Sequence, residues 1–135
     1  MQTINNKSII RVAALSLIIA LSSCEGNTDR IRIIKNNTSG PIMVSASGIS
    51  ISNFNKSISE GESEMLFIGG QMGGSDQVEN PATGISSLII VNSTGDTCSK
   101  DFTIQSNWDI KIEQTKKTPS NWKHEYTFIL NDGDF

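Results

Sequence analysis

The sequence predicts an all-β domain, and three observations predict it. Short apolar runs with two-residue alternation recur along the chain. Clusters of Asn, Ser, Thr, Gly and Pro separate them roughly every ten residues. Beyond the N-terminal apolar run, no segment keeps a helical period. Seven or eight short strands in about 105 residues suit a small antiparallel β-sandwich of immunoglobulin-like arrangement, with a small antiparallel β-barrel as the alternative.

Arg30-Ile31-Arg32-Ile33-Ile34-Lys35 carries isoleucine at alternate positions, which predicts a half-buried first strand. Asn36 to Pro41 supplies turn residues, since Asn and Gly tolerate left-handed backbone. Ile42, Val44 and Ala46 alternate with smaller or polar neighbours and predict a second strand. The Ser- and Asn-rich stretch from 47 to 58 predicts a weak third strand or an edge, with Ile49 and Ile51 two apart. Glu60-Gly61-Glu62 is a turn, and Ser63 to Ile68 is a strand.

Gly69 to Gly84 is the one long irregular stretch, with four glycines among its first six residues. Such a loop is unusual in a compact domain and is commonly functional or disordered. Its Gly-Gly-Gln-Met-Gly-Gly opening has neither the dinucleotide-binding spacing nor the Gly-Lys-Ser/Thr ending of a phosphate-binding loop. Asp76, Glu79 and Asn80 offer fewer oxygens than the six to eight that calcium takes. A mobile loop is the blander reading.

Ser87 to Val91 is a continuous aliphatic run, predicting a central strand covered on both faces. Asn92 to Asp96 is a turn, and Asp101 to Ile104 predicts a further strand through Phe102 and Ile104. The last two strands are the best defined. Trp108, Ile110 and Ile112 share one face, and Trp122, His124, Tyr126, Phe128 and Leu130 share one face of the partner. Lys116 to Asn121 joins them as a turn, and their other faces set Asp and Glu against Lys.

The N-terminus carries a different signal. Val12 to Leu21 is an apolar run of ten residues, preceded by Lys7 and Arg11, with no acidic residue before Glu25. A spanning helix needs about twenty such residues, so the run suits a secretory signal. A helix of the folded domain is the alternative. The closing Leu21-Ser22-Ser23-Cys24 resembles the lipobox of bacterial lipoproteins. That resemblance covers roughly the first 25 residues. It implies that residues 1–23 are a signal peptide, cleaved between Ser23 and Cys24, and that Cys24 is the lipidation site. The only group bound would then be covalent lipid, a diacylglyceryl on sulfur and a third acyl chain on the amine. Each buried methylene contributes about 0.8 kcal/mol, so three chains anchor firmly. Residues 24–29 would form the lipidated cysteine and a flexible tether, and residues 30–135 a single domain. The resemblance places the protein in a bacterial envelope, by preference at the outer membrane. Glu25 and Asp29 only partly match the acidic signals for display on the outer surface, so the membrane face stays open.

Composition narrows the chemistry. The formal charge of −3 loses Lys7 and Arg11 on cleavage, giving −3 − 2 = −5. An acidic chain whose only adjacent basic pair is Lys116-Lys117 predicts no nucleic-acid binding. Acylation of Cys24 leaves Cys98 without a partner, and a small buried hydrophobe is its expected role. The single histidine, His124, falls on an inward face, where a hydrogen-bonded structural role is expected. No Gly-x-Ser-x-Gly elbow occurs, and one His with one Cys is too few for zinc. These features predict neither an enzyme nor a metal site. Binding leads by elimination, with other envelope proteins as partners through an edge strand or loop. One alternative is a glycan stacked on Trp108 or Trp122, for which core packing is the blander reading. Another is an enzyme inhibitor acting through the 69–84 loop.

Overall fold

The structure is a computed structural model that describes residues 25–135; the expected signal segment 1–23 and Cys24 lie outside the described residues. Seven strands form two sheets. In chain order they are β1 (Asn27–Asn36), β2 (Ile42–Gly48), β3 (Ile51–Ile58), β4 (Ser63–Met72), β5 (Ile85–Val91), β6 (Trp108–Lys116) and β7 (Asn121–Leu130). One-turn 3-10 helices occupy Gln105–Asn107 and Asp132–Asp134. One sheet has the order β4-β1-β7-β6 and the other β3-β2-β5. The predicted β-sandwich is present, and the barrel alternative is not, because neither sheet closes on itself.

Strand order departs from the immunoglobulin arrangement, in which sheets run A-B-E-D and C-F-G. Here β1 pairs with β4 and β7, and β2 pairs with β3 and β5. The β1–β7 pairing is parallel, the other four antiparallel. The first strand therefore lies beside the last.

Between the sheets lies an aliphatic and aromatic core. Ile34, Leu66, Trp108, Phe128 and Leu130 from the four-stranded sheet meet Ile42, Val44, Ile51, Ile58 and Ile90 from the other. The β6–β7 hairpin matches its predicted faces, with Trp108 opposite Phe128 and Ile112 opposite His124. On the outer face Lys111 opposes Glu125 and Glu113 opposes Lys123, as the charge pattern predicts. At the β1–β2 turn, the buried Asn36 side chain donates to the Gly40 and Ile58 carbonyls and accepts from the Thr38 backbone and hydroxyl.

Five expectations are corrected. The tether is shorter than 24–29, because Asn27 to Asp29 already pair with Met72, Gln71 and Gly70 in β4, and Thr28 is wholly buried. Alternation in β1 is inverted. Arg30, Arg32 and Ile34 point inward, while Ile31 and Ile33 are half-buried on the outer face. β4 runs on through Gly69 and Gly70 to Met72, paired with β1, so the irregular stretch starts at Gly73. β5 is an edge strand with Ile89 half exposed, not a central one, since an aliphatic run does not reveal which sides are covered. Residues 101–104 turn rather than extend. There the Asp101 carboxylate accepts from the Thr103 backbone N–H and hydroxyl, which also holds it below the usual carboxylate range. The stretch around 47–58 is a strand edge as expected, with β3 outermost in its sheet and Ile49 fully outside it.

A bulge in β4 turns two adjacent side chains to the same side. Register shifts between Arg32 and Ile33, leaving Leu66 as the extra residue between Phe67 and Met65. Leu66 and Phe67 consequently both face inward, as such an insertion allows.

Candidate functional site

The inner face of the four-stranded sheet changes character along its length. Towards Ile34, Phe128 and Leu130 it is apolar; towards the start of β1 it carries Thr28, Arg30, Arg32, His124 and Tyr126. The segment 73–84 lies over this polar half and is tied down by it. Thr28 donates its hydroxyl to the Gly73 carbonyl and accepts from the Ser75 N–H. Arg32 Nε donates to the Pro81 carbonyl at 3.2 Å. The predicted mobile loop is instead a roof held by buried polar groups.

Arg32 is the centre of the arrangement and is only 2% exposed. Its guanidinium lies 4.8 Å from the Phe67 ring centre and 5.1 Å from that of Tyr126, a cation between two aromatic faces. Nη1 donates to the Arg30 carbonyl and Nη2 to Glu79 Oε2 at 3.3 Å. Burial pulls the Arg32 guanidinium below its ordinary value, opposed by Glu79, and arginine remains a cation throughout. Gly69 eases the approach, since a Cβ there would sit 3.2 Å from Arg32 Nη1, a tight contact that the guanidinium would have to relieve by a small shift.

Arg30, 8% exposed, reaches the same carboxylate from the neighbouring position on the face. Its Nη1 donates to Gln71 Oε1 at 2.8 Å. Its Nε lies 3.1 Å from Glu79 Oε2, yet the N–H is not aimed at that oxygen and finds no hydrogen-bond acceptor among the described residues. Beside these groups is a cavity of about 280 Å³, bordered by both arginines, Phe67, Gln71, Glu79 and Thr83.

His124 is wholly buried with both ring nitrogens engaged. Nε2 lies 2.8 Å from the Ser75 carbonyl, an acceptor only, so Nε2 carries the proton in the neutral ring. Nδ1 then accepts from the Tyr126 hydroxyl at 3.1 Å, while that oxygen accepts from the Glu79 N–H at 3.4 Å. The chain Ser75–His124–Tyr126–Glu79 is thus satisfied end to end, which is the structural role expected of a lone inward histidine.

The remaining candidates disperse. Trp108 is 5% exposed, packs on Phe128 with ring centres 5.0 Å apart and donates Nε1–H to the Phe102 carbonyl. No face of it is open to a sugar ring, so its assignment as a glycan platform is corrected to core packing. Trp122 is half-buried and donates to the Ser120 hydroxyl. Cys24 and Ser23 lie outside the described residues. Glu79, considered with Asp76 and Asn80 as an oxygen ligand, is engaged by the two arginines. No group of three or more His, Cys, Asp or Glu placed to hold a metal occurs among the described residues. No helix there is long and apolar enough to cross a membrane.

Cys98 is partly buried against the core, with its thiol 4.0 Å from the Lys100 carbonyl. Burial pushes this thiol up, so its neutral form is favoured in the fold. Stability from this source is present below the unfolded thiol's ordinary value and falls as pH rises past about 8.5. Alkylation of the native protein by iodoacetamide at a pH of about 8 is expected to be at least about tenfold slower than that of the urea-unfolded chain. Equal rates would place the thiol at the surface.

The arginine pair is the feature that sequence reasoning missed. Its counter-ion lies about 50 residues away in sequence, in a segment without local order signals. Comparisons with protein-family models, with curated proteins and with solved structures returned no match to this chain.

Proposed function

We propose that the protein is a lipid-anchored lipoprotein of the bacterial envelope, by preference at the outer membrane, whose sandwich is a non-catalytic binding module. The observation that carries the binding part is the cavity under the 73–84 segment, bordered by guanidinium, amide, carboxylate and hydroxyl groups. Strands and mutual hydrogen bonds hold these groups in place before any ligand arrives, and such preorganisation favours affinity. The carboxylate there is already paired with two guanidiniums, and the histidine is committed to structural partners. Neither is poised as a general base.

The anchor part rests on Leu21-Ser22-Ser23-Cys24 and is compatible with where the fold begins. Gly26 accepts a backbone hydrogen bond from Gly73, and a Cβ on Gly26 would overlap the Ser120 carbonyl. The domain therefore begins within about three residues of the acylated position, so the end holding the 117–120 turn would sit close to the headgroups. Cys24→Ser is the test. Wild-type protein is expected in the membrane fraction and labelled by palmitate, and the variant in neither state. A variant still sedimenting with membranes would sink the anchor.

Docking of another envelope protein is a second reading, and one observation favours it. Ile31, Ile33, Met65 and Ile68 stand together on the outer face of β1 and β4, with Ile31 opposite Ile68 and Ile33 opposite Met65. Met65 and Ile68 are about half exposed, as an apolar contact patch would be. Glycan stacking would rest on Trp122 alone. An inhibitory role for the 69–84 segment draws no support from a segment strapped to its own sheet.

A further inference from the structure

The cavity beside β1 and β4 holds more positive than negative charge. Arg30 and Arg32 bring two guanidiniums and Glu79 one carboxylate. A largely buried cation without its full complement of acceptors is costly. The shortfall is localised, since the Arg30 Nε–H has no acceptor among the described residues while its Nη1 is taken by Gln71. Glu79, the only acid paired with them among the described residues, is the exposed member, with about a third of its side chain open to solvent.

We infer that this cavity binds a small organic carboxylate, of roughly monosaccharide or amino-acid size, through the Arg30 guanidinium. The inference rests on the binding-module reading but not on the lipid anchor. A monoanion matches the single excess charge, and the planar guanidinium fork matches a carboxylate better than it matches a neutral oxygen. In this site Glu79 is an internal stand-in. Its carboxylate lies 3.1 Å from the Arg30 Nε and competes for the charge that the ligand carboxylate meets. The rest of the cavity suits an organic body rather than a bare ion. Phe67 offers an apolar ring, and Ser50 and Thr83 offer hydroxyls at its border. Two sources share this chemistry, a sugar acid and an N-acylated amino acid such as a peptide terminus.

Full-length protein in mild detergent, titrated at constant ionic strength by calorimetry and thermal denaturation, tests the inference. The probes are glucuronate and N-acetylalanine, with glucose, N-acetylalaninamide and inorganic phosphate as controls. Both carboxylates are expected to bind and raise Tm, the tighter one identifying the source, while the neutral controls and phosphate have little effect. Arg30→Gln is expected to weaken carboxylate binding at least about tenfold, the loss of one charge-assisted hydrogen-bonding group. Glu79→Gln is expected to tighten it by about threefold to tenfold, because the internal competitor is gone. These opposite signs separate a binding site from a purely structural ion pair, whose two halves would both only destabilise. Should Arg30→Gln fail to fold, the gain in Glu79→Gln still decides the matter. Equal binding of glucose and glucuronate, equal binding of phosphate, no carboxylate binding at millimolar concentration, or weaker binding in Glu79→Gln would each overturn the inference. Binding of glucose alone would overturn it while leaving a binding module standing.

Discussion

Arg32→Ala is expected to lower the unfolding free energy by about 3–5 kcal/mol, the combined cost of emptying a buried site and leaving its acceptors without their donor. The side chain is 2% exposed and touches five residues at once. It stacks between Phe67 and Tyr126, donates to Glu79 and to the Pro81 carbonyl, and bonds back to the carbonyl of Arg30. Truncation leaves a void between two rings and a carbonyl without its donor. It also leaves Glu79 with Arg30 alone. Arg32→Met fills much of the void and keeps the apolar stacking, so its loss is expected to be about half as large. Urea denaturation followed by circular dichroism measures both, with the midpoint moving and the slope unchanged. Limited proteolysis supplies a local readout, because the 73–84 roof loses its ties at Glu79 and Pro81 and should be cut faster. A loss under about 1 kcal/mol for the alanine variant would show that the roof is held by something else.

Trp108→Ala carries the second large effect, a loss of about 3–5 kcal/mol for emptying a core aromatic site. Trp108 packs on Phe128 and its indole N–H reaches the Phe102 carbonyl, so the variant loses contacts and orphans an acceptor in the turn before β6. Trp122→Ala, at a half-buried position, is expected to cost about 1 kcal/mol. The two tryptophans look alike in the sequence, each on the apolar face near a strand end. Chemical denaturation of the pair distinguishes them. Equal losses would contradict the different burial of the two side chains. Against a total stability of about 5–15 kcal/mol, the Trp108 variant is close to the limit of folding.

Strict alternation was a sound guide wherever one face met the apolar core. In β6 apolar and charged residues alternate from Trp108 to Glu113, and in β7 every second residue from Trp122 to Leu130 is apolar or aromatic, with Lys123 and Glu125 between the first of them, so only one register buries the right set. The same reasoning placed Ile42, Val44 and Ala46 inward in β2. It failed in β1 for an identifiable reason. Arginine alternates with isoleucine there, and the expected rule buries the isoleucine. The rule assumes an apolar opposite layer. Opposite Arg30 and Arg32 lies a segment offering a carboxylate and a carbonyl, and the aromatic faces of Phe67 and Tyr126 receive the guanidinium. The flanking residues of that inward set, Thr28 and Asn36, also bury by hydrogen bonding and not by apolarity.

Gly69 and Gly70 misled in the opposite direction. Consecutive glycines signal a loop because they carry no side chain to stabilise a strand. Here β1 supplies the backbone partners, and the missing Cβ of Gly69 leaves space for the Arg32 guanidinium. Similarly, the run from Ser87 to Val91 is apolar enough for a central strand, yet β2 is the only strand beside it among the described residues.

Local pattern alone determined that this chain is all-β, where most of its turns fall, and which faces of its C-terminal hairpin and second strand are buried. Those properties depend on a residue and its near neighbours. Tertiary structure alone decided the strand order, the parallel meeting of the first and last strands, and the inward turn of Arg30 and Arg32 towards Glu79. Each of these requires groups tens of residues apart to find one another, and a guanidinium reads as surface until its distant carboxylate and two aromatic rings are in place around it.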